Sequence, residues 1–171
     1  MKLIIGNLLS LMAMASNAFS ATRKTTKGIL LTQNLSQLLY AGCAIVLGGY
    51  SAAVQNVVSI ARNFSAIGKK RSKVLEWTLV AAGGVLGIAF NNLGIIGLLP
   101  VLGNLQYTLA IFRFTDNERA VKISFLISVV CYVVFNALIL NFVGAVSDLV
   151  VIITTIVVLI KGQPGQGREE C

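Results

Sequence analysis

The chain has 171 residues, of which 56% are hydrophobic and only 12% are charged, and its formal net charge is +8. A soluble domain of this size carries about twice that share of charged residues, and the mean hydropathy of +0.84 is that of a membrane protein. Because the basic residues cluster in short connections between apolar runs, they indicate membrane topology and argue against nucleic-acid binding.

Seven apolar runs follow one another along the chain, and most come close to the 20 or so residues that a membrane-spanning helix needs. Their bounds are about 3–20, 28–48, 50–67, 75–91, 93–113, 119–140 and 142–160. None of them alternates as the strands of a membrane β-barrel do. The sequence therefore predicts an all-α integral membrane protein with seven transmembrane helices.

The first run has two interpretations. Lys2, the apolar stretch after it and the small residues up to Ala21 are typical of a signal peptide. Cleavage there would leave every later basic connection outside the cell, which opposes the positive-inside rule. We therefore expect this run to be retained as the first helix.

The connections between the runs alternate in charge. Those near 21–27, 68–74 and 113–122, and the tail after 160, are basic, whereas those near 49, 92 and 141 are tight and uncharged. Twelve of the 14 basic residues then lie on one side, and we expect Arg62 to reach that side from the third helix. The positive-inside rule predicts a multi-pass protein with its N-terminus out and its C-terminus in.

Two stretches of the chain, 36–63 and 128–155, align without a gap at an offset of 92 residues. Tyr40 pairs with Tyr132 in this alignment, and Asn56 pairs with Asp148. We interpret residues 1–67 and 93–160 as two three-helix bundles, separated by a linker helix at 68–92 and followed by a disordered cytoplasmic tail at 161–171. The extra helix lets both bundles insert in the same direction, as two parallel repeats in a 3+1+3 order.

Polar residues recur at helical spacing on the second, third, sixth and seventh helices, so each set shares one face. Most of the serines and threonines are explained by hydrogen bonds between helices. Asp148 differs because it is the only acid inside a hydrophobic run, where it must face a cavity, pair with a cation or be protonated. At 1.5 Å per residue it lies roughly 9 Å deep, close to the level of the paired tyrosines. The predicted solute site between the bundles consists of Tyr40, Asn56, Tyr132, Asn136 and Asp148.

Two further helices contain residues that affect how helices move or associate. Pro100 removes a backbone hydrogen bond inside the fifth helix, and with Gly103 it is a predicted hinge, although a static kink is an equal alternative. Gly83 and Gly87 on the fourth helix have the spacing that permits close helix contact. Their partner is either the chain's own bundles or a second subunit, so a homo-oligomer is one expectation.

The order of the helices, with an aromatic residue sixteen positions before a polar one in each half, resembles the SWEET, semiSWEET and PQ-loop transporter superfamily. That resemblance implies a sugar site lined by Tyr40 with Asn56 and by Tyr132 with Asp148. The chain also contains the segments NVVSIARNFSAIGKK (56–70), LLPVLGNLQYTLAIF (98–112) and CYVVFNALILNFVGAVSDLVVIITTIV (131–157). In these segments it is similar to the YgjV-type family of the bacterial inner membrane, and this resemblance implies that location.

Together these features predict a transporter or facilitator of a small polar solute, such as a sugar or nucleoside, that works by alternating access between the bundles. The alternative is a membrane receptor or scaffold that does not transport. The chain has no histidine, no metal-ligand spacing among its three cysteines and no Gly-x-Ser-x-Gly motif. We therefore expect no enzyme activity, no cofactor and no metal, and the expected partners are the solute and the lipid bilayer.

Overall fold

The computed structural model describes residues 1–20, 26–68, 72–114 and 117–161. These residues form seven α-helices and no strand, and every helix lies within a few residues of a predicted run. The all-α fold class is thus confirmed. The helices are α1 (Lys2–Ser20), α2 (Thr26–Leu47), α3 (Tyr50–Ile67), α4 (Lys73–Ala89), α5 (Ile95–Arg113), α6 (Glu118–Leu138) and α7 (Phe142–Lys161).

Three of the described helices are long and apolar enough to cross a membrane: Lys2–Phe19, Ile95–Arg113 and Arg119–Leu138. Phe142–Val157 is a shorter apolar helix. A crossing by all seven helices, the N-out orientation and the division into two bundles stay predictions. The basic residues expected near 23–24 and 69–71, and the tail from 162 onward, lie outside the described residues.

Six of the described helices close into a ring. Going round it, α1 contacts α2, α2 contacts α3, α3 contacts α5, α5 contacts α6, α6 contacts α7, and α7 returns to α1. The remaining helix, α4, contacts α3 and α5 from outside the ring. Exchanging the two predicted halves by the offset of 92 residues turns each contact of the ring into another contact of the ring, as expected for a repeat.

The short connections α2–α3, α4–α5 and α6–α7 lie at one end of the ring, which we call the turn end. There the Asn92 side chain donates to the Gly48 carbonyl at 2.8 Å. The start of α1 lies at the same end, because the Asn7 side chain donates to the Leu140 carbonyl at 3.1 Å and accepts from the Val143 amide at 3.1 Å. These contacts place the starts of α1, α3, α5 and α7 at a common level.

The α2–α3 and α6–α7 turns have the same backbone hydrogen bonds at the predicted offset. The Gly49 amide donates to the Ala44 carbonyl at 2.7 Å, and the Asn141 amide donates to the Asn136 carbonyl at 2.9 Å. Both turns contain a left-handed residue, Gly48 at φ 82° and Leu140 at φ 61°, as in a Schellman-type helix end. The offset of 92 is therefore a backbone register as well as a sequence alignment.

The glycines of α4 contact the chain's own helices. A Cβ at Gly83 would lie 3.2 Å from the Leu105 side chain on α5 and 3.3 Å from the Gln55 side chain on α3. A Cβ at Gly87 would lie 2.8 Å from the Val101 side chain on α5. The spacing seen in the sequence thus serves packing of α4 against α3 and α5, while a homo-oligomer stays a prediction.

Candidate functional site

The ring encloses a cavity of about 160 Å³. Its wall includes all five residues of the predicted solute site, contributed by α2, α3, α6 and α7. An engineered cavity of about 150 Å³ holds a benzene molecule, so this one has room for a small solute. The predicted site residues in the wall are Tyr40, Asn56, Tyr132, Asn136 and Asp148.

Asp148 is held by a chain of amide side chains that begins at the α6–α7 turn. Asn141 caps α7 by accepting from the Gly144 amide at 3.1 Å. Its own Nδ2 donates to Asn136 Oδ1 at 3.0 Å, and Asn136 Nδ2 donates to Asp148 Oδ2 at 2.8 Å. Because Asn136 accepts one hydrogen bond and donates the next in this series, the orientation of its amide is fixed. The carboxylate of Asp148 is thereby held at the cavity wall.

A second polar cluster joins α3 to α5 deeper in the ring. The Asn104 side chain accepts from Ser59 and from Arg62 Nη1, each at 3.2 Å, and donates to Gln55 Oε1 at 2.9 Å. Gln55, which is fully buried, donates in turn to the Gly83 carbonyl on α4 at 2.8 Å. This cluster therefore joins three helices, since Asn104 connects α5 to α3 and Gln55 connects α3 to α4.

The Arg62 side chain lines the cavity, and its reach to the inner surface stays a prediction. The guanidinium also donates to Thr108 Oγ1 at 3.2 Å and lies 5.0 Å from the centre of the Tyr107 ring. A cation over an aromatic face is favourable, more so when it is shielded from water. The hydroxyl and amide acceptors of α5 and the ring of Tyr107 hold the side chain inward.

The two paired tyrosines reach across the interior. The Tyr40 hydroxyl on α2 lies within hydrogen-bonding reach of Ser147 on α7, although the two helices are not neighbours in the ring. Tyr132 is close enough to both Arg62 and Asp148 to interact with them electrostatically. The tyrosines therefore link the two halves of the ring, whereas Asn56 is buried and contributes to the wall from α3.

Pro100 and Gly103 lie inside α5 and are buried, but neither lines the cavity. A Cβ at Gly103 would lie 3.2 Å from Cys131 Cβ and 3.2 Å from the Ser128 carbonyl on α6. Gly103 thus permits close packing of α5 on α6. The hinge role of the two residues stays a prediction.

Sequence reasoning did not assign Arg62, Asn104, Tyr107 and Asn141 to the site, although all four line the cavity. Steps of three and four residues along α5 join Asn104 to Tyr107 and Thr108, which is the same spacing that identified the polar faces of the other helices. Applying that criterion to α5 would have found them. Asn141 carries no comparable signal, since its role depends on how the turn places it beside Asn136.

The chain belongs to the Imp-YgjV family, whose model is described as a bacterial inner membrane protein and matches residues 4–164. A search of curated proteins and a search of solved structures found no match to the chain. The family membership confirms the bacterial inner membrane as the location.

Proposed function

We propose that this inner membrane protein is a transporter or facilitator that moves a small polar solute through the cavity of the ring. One observation carries the proposal: a single cavity brings together polar side chains from both predicted halves, including Asp148 and its partner position Asn56. Transporters built from repeats bind their solutes near the middle of the bilayer, where the repeats meet. Asp148, Tyr40 and Tyr132 are among the oriented polar groups that line this cavity, and such groups are what a small-molecule site needs.

Alternating access requires the two halves to move relative to each other around the solute. Pro100 and Gly103 lie where α5 packs against α6, and they are the proposed point of bending. The two halves are joined by hydrogen bonds at two places: α3 and α5 share the Asn104 cluster, and Asn7 joins α1 to α7 and its turn at the turn end.

Uptake into proteoliposomes tests the proposal. The purified protein is reconstituted and supplied with labelled sugars, nucleosides, amines and amino acids. For a solute that enters, we expect Asp148→Ala to reduce the initial rate at least tenfold, because this substitution removes the carboxylate from the cavity wall. Asn92→Ala is the matched control, since it changes an exposed turn residue away from the cavity. If no solute enters, or if Asp148→Ala transports at the wild-type rate, the proposal is wrong.

Cysteine labelling separates a transporter from a receptor or scaffold on the same fold. Val151→Cys changes the cavity wall and keeps Asp148. It is introduced after Cys43, Cys131 and Cys171 are replaced by alanine, and a membrane-impermeant thiol reagent is added from either side. A transporter exposes position 151 to the outside in one state and to the inside in another, so the reagent labels it from both sides. Labelling from one side only, with and without solute, supports the receptor or scaffold.

A further inference from the structure

The cavity wall contains two side chains of opposite charge, Arg62 and Asp148. Both hydrogen bonds of the guanidinium use Nη1, and both acceptors, Asn104 and Thr108, are neutral. A guanidinium has five N–H donors, so Nε and Nη2 remain for another acceptor. Within the described residues Arg62 therefore has no counter-ion in contact, and a planar carboxylate is the group that its remaining donors fit best.

Asp148 has an acceptor oxygen that complements these donors. Its Oδ2 accepts from Asn136, and the described residues supply no hydrogen bond to Oδ1. The carboxylate is half-buried and borders the cavity. An ammonium group in the cavity would find one oxygen already oriented by Asn136 and a second oxygen free to accept.

The two charges do not neutralise each other, because the one ion pair among the described residues joins Arg113 to Glu76 elsewhere in the molecule. Arg62 lies 12 residues after the first residue of α3, and Asp148 lies six residues after the first residue of α7. Both helices start at the turn end, so the two Cα atoms differ in depth by about 9 Å.

We infer that the solute is a small zwitterion, with a carboxylate directed to Arg62 and an amine directed to Asp148. Charges inside a membrane protein are costly unless they are paired, and a zwitterion pairs both at once. A neutral sugar pairs neither, and a simple organic cation or anion pairs one. The cavity wall also includes Tyr132, Val129 and Phe125, against which a short apolar side group of the solute would pack.

This inference rests on the proposed function, because it identifies the solute that the protein would move. Binding of that solute can nevertheless be measured without transport. The probes are the common amino acids and β-alanine, each compared with its amide, which keeps the amine, and its N-acetyl derivative, which keeps the carboxylate. Isothermal titration with purified wild-type protein should show that at least one zwitterion binds tenfold more tightly than both derivatives. If no zwitterion binds, or if a derivative binds as well as its parent, the inference is overturned.

Two conservative variants locate the contacts. Arg62→Gln should bind the zwitterion and its amide equally, because the carboxylate of the solute is no longer recognised. Asp148→Asn should bind the zwitterion and its N-acetyl derivative equally, because the amine of the solute is no longer recognised. Asn104→Asp is a third variant, which gives Arg62 a built-in counter-ion and should weaken zwitterion binding tenfold or more. Size-exclusion profiles identify any variant that fails to fold, and the remaining variants then decide. If the folded variants keep the wild-type preference, the assignment of the contacts is wrong.

The binding and uptake experiments have separate outcomes. Zwitterion binding without uptake contradicts the transporter and leaves the site intact. Uptake of a sugar or nucleoside by a protein that binds no zwitterion contradicts the inferred solute and leaves the transporter intact.

Discussion

Asn104 is the residue whose replacement should most weaken the contact between α3 and α5. The change to leucine keeps the approximate size of the side chain and removes its four hydrogen bonds, two to Gln55 and one each to Ser59 and Arg62. Hydrogen bonds between membrane helices contribute about 0.6 kcal/mol each on average, with a maximum near 1.7 kcal/mol. Asn104→Leu should therefore lower the free energy of unfolding by about 2 kcal/mol, and the groups left without partners in the buried cluster add to this cost.

The assay is unfolding by SDS titration in mixed micelles, followed by helicity and by the fluorescence of Trp77, the one tryptophan of the chain. Asn92→Leu is the matched control, because it makes the same chemical change at an exposed turn residue with one hydrogen bond, and it should cost at most about 0.6 kcal/mol. Ser59→Ala removes a single bond of the cluster and should also cost about 0.6 kcal/mol. If Asn104→Leu is no more destabilising than Asn92→Leu, the cluster does not hold the two helices together.

Three other changes test separate parts of the fold by the same unfolding assay. Leu140→Gly should leave stability unchanged or raise it by up to about 1 kcal/mol, because leucine at φ 61° is strained; a loss above about 1 kcal/mol would show that the side chain matters more than the turn. Gly87→Ala should lower the free energy of unfolding by about 1–3 kcal/mol through overpacking against Val101. Gly84→Ala is the control and should be tolerated, because the nearest neighbour of its Cβ lies at 3.6 Å. Equal effects of the two changes would contradict the packing of α4. Glu76→Gln breaks the ion pair to the half-exposed Arg113 and should cost at most about 1 kcal/mol, with an effect that shrinks as salt is added; a cost independent of salt would point to packing and not to charge.

The helices and the five predicted site residues could be found from the sequence for one reason. Helical spacing assigns residues to a face, and a repeat places matching faces at matching depth. Tyr40 and Tyr132, like Asn56 and Asp148, line one cavity because both conditions hold for them. No long-range contact had to be known in advance.

The contacts of Arg62 could not be predicted from the sequence, because a long side chain on one helix can point along several paths. Its path is decided by Asn104, Thr108 and Tyr107 on α5, more than 40 residues away in the chain. Asn141 was missed for a related reason. Its amide becomes part of the site only when the turn brings it beside Asn136, and turn geometry is not encoded in helical spacing.

The two matching turns show how a duplicated backbone acquires different chemistry in its two copies. At the first turn Gly49 has no side chain, and a Cβ there would lie 2.7 Å from the aromatic ring of Phe135. Phe135 fills that corner of the helix ring. At the second turn the equivalent residue is Asn141, whose amide orients Asn136 toward Asp148. The difference between Gly49 and Asn141 therefore makes the first corner apolar and places an amide beside Asn136 at the second. The two corners differ in polarity although their turns share one set of backbone hydrogen bonds.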